Sequence, residues 1–292
     1  MHLGRVERAR WLAWRAGVCL YEDGCLGIAK SAAYSGLLSF FPVLTALALI
    51  LVRFRADQVA DVISRFLFEV VPPGTQQLVL RQFTVYGERP RSLLVVALAV
   101  SLWAASGLVL SLIEGFNAIY RVPTSRPLVP GRLMAVGLVF TSALPGLGAS
   151  SLILFGNRTE VWVVTALGML SKGEQLAGGV SMLGSLVRYI IAFGATALIT
   201  VLLYKLGPNR PQRWWNLWPG ALIAAAFWFA ATLIFSWYVR NIADYNLLYG
   251  SIGAVIALLI WMYVLSLITL FGCAYNAESE RLEAARGPNS GA

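Results

Sequence analysis

Residues 245–277, YNLLYGSIGAVIALLIWMYVLSLITLFGCAYNA, contain no charged side chain. A helix needs about 20 residues to cross the roughly 30 Å of hydrocarbon in a bilayer, so this run reads as a membrane span. The composition agrees, since a chain that is 58% hydrophobic and 13% charged is too apolar for a soluble domain. Outward from this run, further uncharged stretches extend from Ser31 to Val52, Ser92 to Ile113, Leu133 to Gly156, Tyr189 to Tyr204 and Trp214 to Val239. The Tyr189 run is short, but it reaches full length from near Leu183 if Arg188 snorkels its guanidinium toward the headgroups. The expectation is an all-α polytopic membrane protein. Its six transmembrane helices cover about residues 28–53, 92–113, 133–156, 183–206, 214–239 and 251–277, within one membrane domain (1–277) followed by a cytoplasmic tail (278–292). The Val161–Leu170 run is too short to span and reads as interfacial or re-entrant.

The first apolar run begins only after about 25 residues and has no small-residue cleavage site behind it, so the first helix is expected to stay as an anchor. Six spans put both termini on one side. That side collects twelve Lys and Arg residues, among them Arg121, Arg126 and Arg132 between spans two and three and Lys205, Arg210 and Arg213 between four and five, against nine opposite. Short loops carry most of the topological signal, which favours cytoplasmic termini. The net charge of +9 then reflects this bias and attraction to anionic lipid rather than nucleic-acid binding. On this reading Arg121, Arg126, Lys205, Arg210 and Arg213 are a candidate docking surface for anionic headgroups.

Between spans one and two, DQVADVISRFLFEVVPPG (57–74) repeats Asp57, Asp61, Arg65 and Glu69 on one helical face and Val59, Val62, Ile63, Phe66, Leu67 and Val70 on the other. This predicts an amphipathic helical hairpin over residues 57–86, either packed on the outer ends of the spans or forming a lid.

The chemistry is restrictive. His2 is the single histidine, Cys19, Cys25 and Cys273 form no CxxC pair, and no phosphate loop, dinucleotide fingerprint or nucleophile elbow is present. No metal, cofactor or catalytic constellation is expected. Adjacent Glu22 and Asp23 point about 100° apart on a helix and read as a solvated helix start. No acid falls within an expected hydrocarbon core, unlike the usual proton-coupled carrier.

The spans do contain helix breakers and neutral polar groups. Pro42 lies in span one, and Pro145, Gly146 and Gly148 lie in span three. A proline removes a backbone hydrogen bond that lipid cannot replace, so neighbouring groups or water must compensate. Tyr34, Ser39, Ser106 and Asn117 are candidates for that role and for lining a polar site; Ser106 and Gly107 equally suit close helix contact. Tyr245, Asn246 and Tyr249 join them as candidate substrate-binding residues in the tight connection before span six, where helix capping by Asn246 or Ser251 is the competing role.

Five stretches, AAYSGLLSFFP (32–42), LWAASGLVLSLIEGFNAIY (102–120), LLYKLGPNR (202–210), WPGALIAAAFWFAATLIFSWYV (218–239) and ADYNLLYGSIGAVIALLIWMYVLSLITLFG (243–272), together resemble the YihY/BrkB family of bacterial inner-membrane proteins. The resemblance implies six spans with cytoplasmic ends. The family commonly has a glutamate shortly before the asparagine that ends span six, where this chain has Ala274 ahead of Asn276. Relatives carry ribonuclease, virulence or lipid-transport associations. Phosphodiester hydrolysis needs metal ligands or paired acid and base groups, which disfavours the first. Two readings remain: translocation or binding of an amphiphilic, lipid-like envelope substrate, or a non-transporting scaffold for envelope protein partners.

Overall fold

The computed structural model describes residues 5–53, 91–123, 126–146, 178–241 and 251–286. Seven helices occur there: α1 (Arg5–Glu22), α2 (Cys25–Arg53), α3 (Arg91–Ile119), α4 (Leu128–Gly146), α5 (Gly178–Leu206), α6 (Trp218–Asn241) and α7 (Ser251–Arg286). A single 3-10 turn, Trp214–Asn216, precedes α6, and no strand occurs among the described residues. The segments Val95–Ile119, Leu128–Gly146, Leu186–Leu206, Trp214–Tyr238 and Val255–Ala285 are long and apolar enough to cross a bilayer. The α2 helix, over the expected first span, is not among these five, but it continues unbroken through Pro42. The expected hairpin over 57–86 and the Val161–Leu170 segment lie outside the described residues.

Several boundaries differ from the sequence reading. Residues before span one form the helix α1, because Leu12, Ala16, Cys19 and Leu20 recur at helical spacing and bury one face while Trp14 and Tyr21 stay exposed. It turns into α2 at Gly24, whose φ of +68° favours a residue without Cβ. The second difference is in α4, which starts at Leu128 rather than 133 and so draws Arg132 inside an apolar span. The expected domain boundary at 277 falls within α7, which runs on to Arg286.

α2 lies antiparallel to α3, with the Ser31 and Ser111 hydroxyls 3.1 Å apart. α7 packs on α2 and α6, and α6 on α5. Val109, Ile113, Ala135 and Leu138, with Leu203 and Leu206 against them, join α3 and α4 to the end of α5. The main core, including Ala29, Phe116, Tyr204, Leu217 and Leu270, gathers at the end of the bundle that carries α1. At the opposite end Val95, Val96, Leu98 and Val100 on α3, and Leu186, Val187, Tyr189, Ile190 and Ile191 on α5, are exposed. A helix turns every 3.6 residues, so such runs point to several sides of each helix and have few close neighbours among the described residues.

Candidate functional site

Three α-helical ends and two connections meet in a polar layer at the α1 end. α3 stops where Arg121 takes a left-handed φ of 50°, and Arg281 of α7 donates from Nη2 to the Ile119 carbonyl at 2.6 Å, satisfying an open helix end. Arg281 also pairs with Glu278, whose side chain is 4% exposed and whose other oxygen lies 3.6 Å from Arg15 Nε. One turn earlier, Asn276 accepts the Gly220 amide at 2.8 Å and donates to the Leu217 carbonyl at 2.9 Å, fastening α7 to the start of α6.

The five candidate docking cations are drawn to this end, but most are already engaged. Arg126 donates to the Gly207, Leu206 and Pro208 carbonyls and caps α5. Lys205 donates to the Gln212 carbonyl, and Arg210 pairs with Glu280 while stacking 4.5 Å from the Tyr120 ring. Arg121 is 3.9 Å from Asp23 and mostly exposed. Arg213 is exposed beside Trp214 and Trp215 and, with Tyr120, Gln212, Asn216 and Asn276, lines a shallow pocket. Cations and aromatics in this mixture suit a headgroup zone.

The candidate polar residues of the spans are not gathered into one cluster. Tyr34 is exposed. Ser39 and Ser106 are buried and donate to carbonyls three residues back in their own helices, Gly36 at 2.7 Å and Trp103 at 2.8 Å. Asn117 accepts the Asn209 amide at 3.0 Å and steadies the α5–α6 connection. None of these four lines the pocket. Pro145 and Gly146 lie at the last described residues of α4, while Gly148, Tyr245, Asn246 and Tyr249 lie outside the described residues.

A different polar group sits partway along the bundle, on its outer side. Arg132 Nη2 donates to the Trp103 carbonyl at 2.6 Å, and its guanidinium lies 4.1 Å from the Trp103 ring centre. Trp103 is about 12 Å along α3 from Val95 and about 24 Å from Ile119 at 1.5 Å per residue. Measured along this apolar segment of α3, the guanidinium lies about a third of the way in from Val95, a level at which an arginine in hydrocarbon would cost about 3 kcal/mol on insertion scales. Its Nε is buried without a hydrogen-bond partner, and among the described residues it pairs with no carboxylate. A side chain on Gly107 would meet Ser35 Oγ at 3.5 Å and Arg132 Nη1 at 3.8 Å, so this glycine leaves a notch between a hydroxyl of α2 and the cation of α4. The uncharged run beginning at Leu133 concealed this residue, because cutting spans at charges places it in a loop.

Burial and the Asp23 carboxylate push the Cys19 thiol up to about 12, and burial first, then Asp23, pushes Cys25 up to about 11. Thiolate is the reactive form. In the folded protein, iodoacetamide at pH 8 should therefore leave Cys19 and Cys25 unlabelled for hours, while denatured protein labels fully; intact-mass measurement distinguishes the two.

The family model for virulence factor BrkB matches residues 19–292. The chain belongs to this BrkB family. Within it, a UPF0761 membrane protein of Laribacter hongkongensis is 30% identical over 94% of this chain and 62% of its own length. A second, from Alkalilimnicola ehrlichii, is 30% identical over 87% of this chain and 55% of its own length. The chain thus spans little more than half the length of these BrkB-family relatives. A Bacillus subtilis protein with a ribonuclease-like name, YfkH, is 29% identical over 86% of this chain and 89% of its own length. No solved structure matches. Ala274 is fully buried, and the buried acid Glu278, two residues after Asn276, meets Arg15 and Arg281.

Proposed function

We propose that this chain is a six-span inner-membrane protein with cytoplasmic termini that binds and translocates an amphiphilic, lipid-like envelope substrate, without catalysis. The observation that carries this reading is the unequal packing of the bundle. The helices are locked together at the α1 end, whereas at the other, among the described residues, α3 and α5 expose Val, Leu and Ile with Tyr189 among them. An apolar surface of this kind accepts acyl chains and offers little to a hydrophilic solute. The sixth span is α2. It runs antiparallel along the spanning helix α3, and an even number of crossings is what brings α1 and the end of α7 to one face. Cytoplasmic placement of that face agrees with its arginines. Exposed Trp214, Trp215 and Arg213 would meet headgroups there.

A scaffold for envelope protein partners is the alternative, favoured by how firmly the α1 end is closed. Proteoliposomes separate the two. With a headgroup-labelled anionic phospholipid and dithionite quenching, the protein should raise transbilayer movement about tenfold over protein-free vesicles. Rates equal to those of empty vesicles for every envelope lipid tested would replace translocation by the scaffold reading.

A further inference from the structure

We propose that Arg132 is the anion-binding group of an intramembrane lipid site, holding the phosphate of an anionic glycerophospholipid at the depth of Trp103. The inference rests on the reading that this chain handles lipid-like amphiphiles, and it adds the substrate's charge and the residue that reads it.

An arginine among apolar neighbours, with one backbone carbonyl and no carboxylate partner among the described residues, can take an anionic counterpart. A purely structural brace would use its donors on the protein, as Arg126 does with three carbonyls at the end of α5. Arg132 does so only in part: Nη2 is on the Trp103 carbonyl, Nε has no hydrogen-bond partner, and Nη1 faces the notch at Gly107. Nε is enclosed, so the terminal nitrogens Nη1 and Nη2 are the pair that can meet a phosphate, which accepts from two nitrogens at once. Ser35 Oγ, on the other side of Gly107, supplies a further donor.

The surroundings select the rest of the ligand. Trp103 is 69% exposed, and Leu133 and Phe140 on α4 are also exposed, so the cation is flanked by apolar surface facing the bilayer. A free inorganic anion would have to reach this depth without a shell of water. A phospholipid arrives through the bilayer, with acyl chains that cover Trp103 and Leu133 while its phosphate reaches the guanidinium. The ring of Trp103, 4.1 Å from that guanidinium, holds it in the orientation that leaves Nη1 toward the notch.

The test is lipid retention by purified protein in detergent micelles doped with equal phosphatidylglycerol and phosphatidylcholine, read by native mass spectrometry. Wild type should keep phosphatidylglycerol at least about fivefold over phosphatidylcholine. Arg132→Gln should weaken that retention about tenfold and abolish the preference, whereas Arg132→Lys, which keeps the charge but loses the fork and the stack on Trp103, should fall between wild type and Arg132→Gln. Inorganic phosphate at millimolar concentration should not displace the lipid; displacement would assign the site to free anions and overturn the lipid assignment. Equal retention of both lipids by wild type would overturn the proposal without any variant, as would unchanged preference in Arg132→Gln. If Arg132→Gln does not fold, Trp103→Leu takes its place and should reduce the preference; an unchanged preference there overturns it as well. Phosphatidylglycerol retention that depends on Arg132, in a protein that moves no lipid across vesicles, would keep this site and remove translocation.

Discussion

Replacing Gly272 with leucine leaves no folded bundle, and even alanine lowers stability measurably. A Cβ built on Gly272 would lie 2.4 Å from the Gly220 carbonyl oxygen, 2.5 Å from the Tyr204 hydroxyl and 2.9 Å from Ala224 Cβ. Two of these neighbours cannot yield cheaply. The carbonyl is backbone, and Tyr204 is fully buried with its hydroxyl donating to the Thr269 carbonyl at 2.6 Å. The reverse contact is as close, since a Cβ on Gly220 would lie 2.1 Å from the Gly272 carbonyl oxygen. α6 and α7 therefore cross backbone to backbone, as small residues permit in membranes. Overpacking of this kind costs about 1–3 kcal/mol, and here the shift would also pull Asn276 from Leu217 and Gly220. We expect Gly272→Ala to lower the thermal midpoint in detergent by several degrees and Gly272→Leu to yield only aggregate. Gly194→Ala is the control: nothing lies within 4 Å of its Cβ, and the midpoint should hold or rise. A Gly272→Ala protein as stable as wild type would refute the backbone crossing.

The second large effect is at Glu278. Arg281→Ala would leave a carboxylate that is 4% exposed with only Arg15, at 3.6 Å, as its cation, and would also free the Ile119 carbonyl. Removing one partner of a buried pair costs roughly 3 kcal/mol, because the remaining charge keeps its desolvation penalty. Removing both should cost less than removing the arginine alone. Unfolding of Arg281→Ala, Glu278→Gln and the double variant, followed by tryptophan fluorescence, gives the coupling directly. Additive losses would mean that the pair is not coupled.

The helical membrane architecture was legible because hydrophobic length is a coarse signal: a run such as 245–277 admits almost no other reading. The first helix was not, since Arg5, Arg8, Arg10 and Arg15 stand out as topological charge and mask the spacing of Leu12, Ala16, Cys19 and Leu20. Ser39 and Ser106 were legible as buried polar groups but not as self-satisfied ones, because a serine bonded to its own helix looks the same in sequence as one facing a cavity. Arg132 and Asn276 escaped for a different reason. Their importance comes from partners 29 and 59 residues away, and neither separation belongs to any local pattern.

The closure of the α1 end also has an order in time. Asn276 and Arg281 fasten Leu217, Gly220 and Ile119, all of which leave the ribosome earlier. Until residue 281 emerges, the amide of Gly220 and the carbonyl of Ile119 wait without these partners, and the arginine that neutralises Glu278 is not yet made. Chains cut short within α7 would thus carry helix ends with unpaired backbone groups that the finished chain closes.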